Sequence, residues 1–200
     1  MIISENRNWL IDYKQIVIDS INDSFPAEEY FNDIDGIQLV WTKRWSDDDD
    51  TGEFLRDFTG KTWDQIDHNL ISYHRAAPTF MSYYGFMKFL PALLIDLFDD
   101  DCQLDDRVLY AILEHYASYQ YDIPGKYALN NDQIICCILA LHLPEDFPID
   151  TNFLLSSEEN VFYVGLEFLF PAMTQGLPSE QKMIIQSKIE EINTRLLELC

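Results

Sequence analysis

Glycine, basic residues and cysteine are all scarce in this sequence, and each shortage excludes a class of function. Seven glycines occur in 200 residues, the closest pair being Gly52 and Gly60. That spacing rules out both a GxGxxG fingerprint and a P-loop, whose backbone amides need clustered glycines to reach phosphate. Thirteen Lys and Arg stand against 35 Asp and Glu, a formal net charge of −22. Phosphate backbones and anionic membranes bind clustered cations, so direct nucleic-acid and membrane partners are not expected. The four cysteines, Cys102, Cys136, Cys137 and Cys200, form neither a CxxC nor a disulfide framework. The most apolar run, Phe86–Phe98, is interrupted by Lys88, Pro91 and Asp96, so no membrane span is expected. The opening MIISENRNWL lacks the basic and apolar regions of a secretion signal, which points to the cytoplasm.

Hydrophobic residues make up 48% of the chain, ordinary for a folded domain. Leu10, Tyr13, Val17 and Ile21 follow helical spacing and predict a helix over 8–24, stopped near Pro26. Residues 28–34 read as a short helical segment. The stretch 37–45, IQLVWTKRW, is the one predicted strand, in a small hairpin or as an extended edge segment. Residues 46–52 read as an acidic loop and the best linker. Thr62 and Gln65 make a capping box that opens a helix as far as Pro78. The aromatic stretch 79–90 predicts a short helix ending near Pro91, with Pro91 in the first turn of the next. Further helices are predicted over 108–120, over 132–143 with Asn131 as cap, from a Ser157 cap to Pro171, and from Ser179 to the end. In that last helix Ile185, Ile189, Ile192, Leu196 and Leu199 mark an apolar seam. The expectation is an all-α globule of seven or eight helices, or an α+β fold with a minimal sheet, as one domain over 1–200.

Catalytic and metal signatures are lacking: there is no GxSxG and no HExxH. His68 and His74 are six apart, on different helix faces, which leaves a metal only a site built across helices, such as one from His74, Glu114 and His115. Reading Asp47, Asp49, Thr51 and Gly52 as a calcium loop places Phe58 where the bidentate Glu belongs, so the motif fails. No catalytic residue, metal ligand or cofactor is assigned. What remains is charge and aromatic density. Asp47, Asp48, Asp49 and Asp50 form one acidic cluster, and Asp99, Asp100, Asp101, Asp105 and Asp106 a second. Both suit contact with Arg and Lys side chains of a basic protein partner. Tyr83 and Tyr84, in a segment crowded with aromatics, are the expected interface anchors.

Phe58, Gly60 and Trp63, followed by Phe80, Tyr83, Phe89, Leu90 and Pro91, resemble the pattern of an uncharacterised family of small bacterial proteins. There a Phe-x-Gly-x-x-Trp element precedes an aromatic stretch ending in Phe-Leu-Pro. The resemblance runs from Phe58 to Leu97, about 40 residues of the 200. It implies a bacterial origin and a helical fold, and lends no activity. In size, acidity and lack of catalytic motifs the chain is similar to bacterial immunity proteins. That similarity implies an inhibitor that neutralises a basic toxin or nuclease by covering its functional surface. The alternatives are a nucleic-acid-mimicking inhibitor, an enzyme whose site assembles only in the fold, and an oligomeric component that uses the 180–199 seam between chains.

Overall fold

The computed structural model of the chain describes residues 2–41, 49–98, 127–141 and 166–198. Over the described residues the fold is all-α: seven α-helices, three 3-10 turns and no strand. The helices are α1 (Ile2–Ser24), α2 (Asp49–Phe58), α3 (His68–Tyr73), α4 (Tyr83–Asp96), α5 (Asn131–Leu141), α6 (Leu166–Met173) and α7 (Ser179–Glu198). The chain divides into two compact units, residues 1–24 with 128–200, and residues 25–127. Of the linker candidate at 46–52, residues 49–52 belong to the second, and 46–48 lie outside the described residues. The predicted helix over 108–120 lies outside the described residues, as does Ser157.

In the first unit α5 is the hub, packing on α1, α6 and α7. Its residues Gln133 to Leu141 are all buried, as expected of a helix apolar on every side. Its N-terminus is capped one residue earlier than expected. Asn130 Oδ1 accepts from Gln133 N–H at 3.0 Å while Gln133 Oε1 accepts from Asn130 N–H at 3.0 Å, a reciprocal box. Along α1, Tyr13, Val17 and Ile21 are buried as their spacing predicts. The Tyr13 hydroxyl donates to the Leu139 carbonyl, which satisfies a polar group inside the apolar contact. On α7, Ile185 and Ile189 are buried, whereas Met183 and Ile184 are exposed. Pro171 lies within α6 instead of ending it.

The second unit is organised by α4, which contacts α3, the 3-10 turn Gly36–Leu39 and the 3-10 turn Trp63–Gln65. The expected break at Pro91 is absent: α4 runs through it, with twelve of its fourteen residues buried. An interior proline costs a helix about 3 kcal/mol. Apolar burial on both sides of Pro91 outweighs that local preference. Nor does the described part of the predicted strand form: residues 36–39 coil into a 3-10 turn, Val40 alone makes an isolated antiparallel bridge to Met81, and residues 42–45 lie outside the described residues. The reason is proximity to α4. Ser82 N–H donates to Leu39 O at 2.9 Å and the Ser82 hydroxyl to Gln38 O, so α4's cap takes the carbonyls a strand partner would need. Residues 28–34 form hydrogen-bonded turns and not a helix. Asp49 to Gly52, expected in a loop, are the first turn of α2.

Trp63 explains the short 3-10 turn. Thr62 and Gln65 form the expected capping box, but the helix it opens stops after Gln65. The Trp63 ring is buried and its Nε1–H donates to Phe25 O at 3.0 Å. Asp67 then starts α3 afresh by accepting from Leu70 N–H at 2.9 Å. Gly60, at φ +78°, reverses the chain after α2, and its N–H is held by both oxygens of Asp35 at 2.9 and 3.1 Å.

Candidate functional site

Helix α2 buries Phe54 and Phe58, stacked with ring centroids 4.3 Å apart, and turns Asp50 and Arg56 to solvent. His74, just beyond α3, sets its ring edge-on against both phenylalanines at 6.0 and 5.4 Å. Buried at that contact, it bonds through Nε2 to Asp57 Oδ2 at 2.8 Å. The histidine therefore joins α3 to α2 by packing and by a polar bond.

Beside it stands Tyr73, 67% exposed, the most exposed large hydrophobic side chain among the described residues. It is not loose. Its ring lies edge-on to His74 at 4.8 Å and its hydroxyl donates to Glu53 Oε2 at 2.9 Å. That hydrogen bond, then the Glu53 charge, raises the Tyr73 ionisation above the usual 10.0, so the phenol stays a donor. With Lys61, Gln65, Asp67, Asn69 and Leu70 it lines a shallow hollow of about 310 Å³. A pre-positioned aromatic ring is thus flanked by the carboxylates of Glu53, Asp57 and Asp67.

A second arrangement uses other positions of α3. His68 Nδ1 lies 2.8 Å from Asp96 Oδ1, and His68 Nε2 lies 3.2 Å from Ser72 Oγ. The Asp96 side chain, at the end of α4, is 2% exposed, and that of His68 is 28% exposed.

Of the residues expected from the sequence, Asp50 is exposed on the first turn of α2 and Asp49 is its first residue. Asp47, Asp48, Asp99, Asp100, Asp101, Asp105 and Asp106 lie outside the described residues. Tyr83 does not stand at the surface: it is buried and its hydroxyl donates to Tyr127 O at 3.3 Å. Tyr84 is half-buried, edge-on to Tyr83 and to Tyr127. Tyr73 does not stand out in the sequence from the aromatics around it. No short-range pattern connects it to Glu53, twenty residues earlier.

The metal alternative that used Glu114 and His115 lies outside the described residues. Among those described, no three His, Cys, Asp or Glu side chains are placed to hold a metal. Nor is any described helix long and apolar enough to cross a membrane. Against protein-family models, curated proteins and solved structures, the chain finds no match.

Proposed function

We propose that this chain is a protein-binding inhibitor of the immunity type, a bacterial cytoplasmic protein that neutralises a basic toxin or nuclease by covering its functional surface. The observation that carries the reading is the Tyr73 face: an exposed ring, oriented by Glu53 and His74, set among Glu53, Asp57 and Asp67. Interfaces concentrate their energy in aromatic anchors that lose little entropy on binding, and a ring already held at its hydroxyl meets that condition. The surrounding carboxylates suit Arg and Lys side chains of a partner. A net charge of −22 supplies the long-range field that steers a basic protein in and keeps polyanions away. In this reading Asp47, Asp48, Asp49 and Asp50, with Asp99, Asp100, Asp101, Asp105 and Asp106, supply further negative charge for a basic partner.

The test is a tagged pull-down at low salt with mass spectrometry, repeated with Tyr73→Ala and at about 500 mM salt, where the Debye length shrinks to a few Å. A basic protein recovered in stoichiometric amount is expected, with its association rate falling steeply as salt rises. Tyr73→Ala is expected to weaken its affinity about 30-fold, the loss of an anchor worth about 2 kcal/mol. An association rate indifferent to salt, or a tight complex that Tyr73→Ala leaves intact, refutes the assignment of this face.

A further inference from the structure

Three described hydroxyls on or next to helices return to the carbonyl four residues back. Ser20 donates to Ile16 O at 2.7 Å, Thr174 to Phe170 O at 2.6 Å and Thr194 to Glu190 O at 2.8 Å. Ser72 instead places its hydroxyl 3.2 Å from Nε2 of the His68 ring. The other ring nitrogen is 2.8 Å from Asp96 Oδ1. A carboxylate only accepts, so with Asp96 ionised the proton of this ring belongs on Nδ1, donated to Asp96. Nε2 is left with its lone pair facing the Ser72 hydroxyl. In that tautomer Asp96 orients the ring, and His68 is a base toward Ser72.

We propose that Ser72 Oγ is an activated nucleophile and that the chain carries an acyl-transfer site, taking small esters that reach a half-buried helix face. This stands apart from the partner-binding reading and does not depend on it. Ser72 Oγ attacks the ester carbonyl carbon, forming the new C–O bond while its proton passes to His68 Nε2. The bond to the leaving alcohol then breaks, and the imidazolium returns the proton to that oxygen. Water clears the acyl-serine by the same route: its oxygen bonds to the carbonyl carbon, its proton goes to His68, and His68 reprotonates Ser72 Oγ as the acid departs. Asp96 touches no reacting atom. Its part is positional: it holds the ring and stabilises the imidazolium that each transfer creates.

The test is labelling of the full chain with a fluorophosphonate probe, which reacts only with activated hydroxyls, followed by peptide mass mapping. One adduct, on Ser72, is expected, absent from Ser72→Ala. His68→Gln is expected to slow labelling by about 10² to 10⁴, the usual worth of a positioned general base. Asp96→Asn is expected to slow it and to move the midpoint of its pH profile downward, because the anion that favours the imidazolium has gone. No adduct at Ser72, or labelling of folded His68→Gln at the wild-type rate, overturns the proposal. Ser72→Cys gives a second measurement on an otherwise intact site. Its alkylation by iodoacetamide is expected to persist well below the ordinary thiol pKa of about 8.5, through a thiolate paired with His68. A rate that falls tenfold per pH unit below that value overturns the proposal equally.

Discussion

Replacing Gly85 with alanine sets two effects of opposite sign against each other, and the structure decides between them. Gly85 is the third residue of α4, where alanine is the better helix former by up to about 1 kcal/mol. By propensity alone the substitution stabilises. The added Cβ, however, would stand 2.1 Å from Leu39 O, 2.7 Å from Leu39 C and 2.8 Å from Leu39 Cα. Ordinary contact begins at 3.4 Å, and the obstacle is backbone, which cannot rotate away as a side chain can. Helix and turn must therefore separate by more than 1 Å.

Separation strains the Ser82 N–H bond to Leu39 O and the Ser82 hydroxyl bond to Gln38 O, which span this contact. Overpacking costs about 1–3 kcal/mol and each weakened hydrogen bond up to about 1 kcal/mol. Against a gain of at most about 1 kcal/mol from propensity, the central values leave a net loss of about 2 kcal/mol. Urea unfolding followed by circular dichroism measures it, as a lower midpoint at unchanged slope. A Gly85→Ala chain as stable as the wild type, or more stable, refutes the close approach of α4 to residues 36–40.

Gly60→Ala separates backbone from space: nothing lies within 4 Å of its Cβ, so the cost of about 1–2 kcal/mol comes from φ +78° alone. A neutral result there removes the left-handed turn after α2. Lys88 is 3% exposed, its Nζ donates to Ile34 O at 2.6 Å, and burial lowers its pKa below 10.5 despite the Asp35 and Asp33 charges. The unfolded chain therefore binds the Lys88 proton more tightly. The stability of the wild type relative to Lys88→Met is lowest below the folded pKa and rises as pH climbs from there to about 10.5. Urea midpoints of the two chains at about pH 8 and about pH 10 check the sign, and a gap that narrows in favour of Lys88→Met is the wrong one. Burial pushes the Cys136 thiol up to about 11 from 9.0, leaving about 100-fold less thiolate at neutral pH. Iodoacetamide should modify Cys136 only after denaturation, and rapid native labelling contradicts the burial of α5.

Local chemistry made the helical class readable, and tertiary contacts hid the rest. The positions Tyr13, Val17 and Ile21 announce one face of α1, and Ile185 with Ile189 announce one face of α7, because helical period and burial coincide there. Where the signals were breakers, packing overruled them: Pro91 and Pro171 sit within α4 and α6. The β-branched and aromatic run at 37–45 looked like a strand because propensity records a half-buried surface and not a partner. Its first residues found α4's cap instead. The candidate sites were less readable still. The sequence relates His68 and His74 only to each other, whereas each finds a carboxylate far away in sequence, Asp96 and Asp57. Only the Ser72 spacing to His68 was local, and a four-residue interval between serine and histidine means nothing until an acid fixes the ring.

Both proposals rest on α3, six residues long, and its geometry lets them be tested apart. Consecutive residues on a helix point about 100° from one another, so Ser72 and Tyr73 address different directions although they are neighbours. Tyr73 reaches Glu53 on α2, while Ser72 reaches His68, which is tied to Asp96 on α4. Tyr73→Ala is therefore expected to lose about 30-fold in partner affinity while Ser72 labels at the wild-type rate. Ser72→Ala should do the reverse, losing the adduct and keeping the partner. Loss of both properties in both variants means that α3 itself has come apart, which a fall in the urea midpoint reports separately. A Tyr73→Ala chain that is folded, labels normally and still binds its partner tightly removes the inhibitor reading of this face and leaves the nucleophile standing. A folded chain that binds through Tyr73 but never labels at Ser72 leaves His68 as a tie between α3 and α4, and the protein as a binder alone.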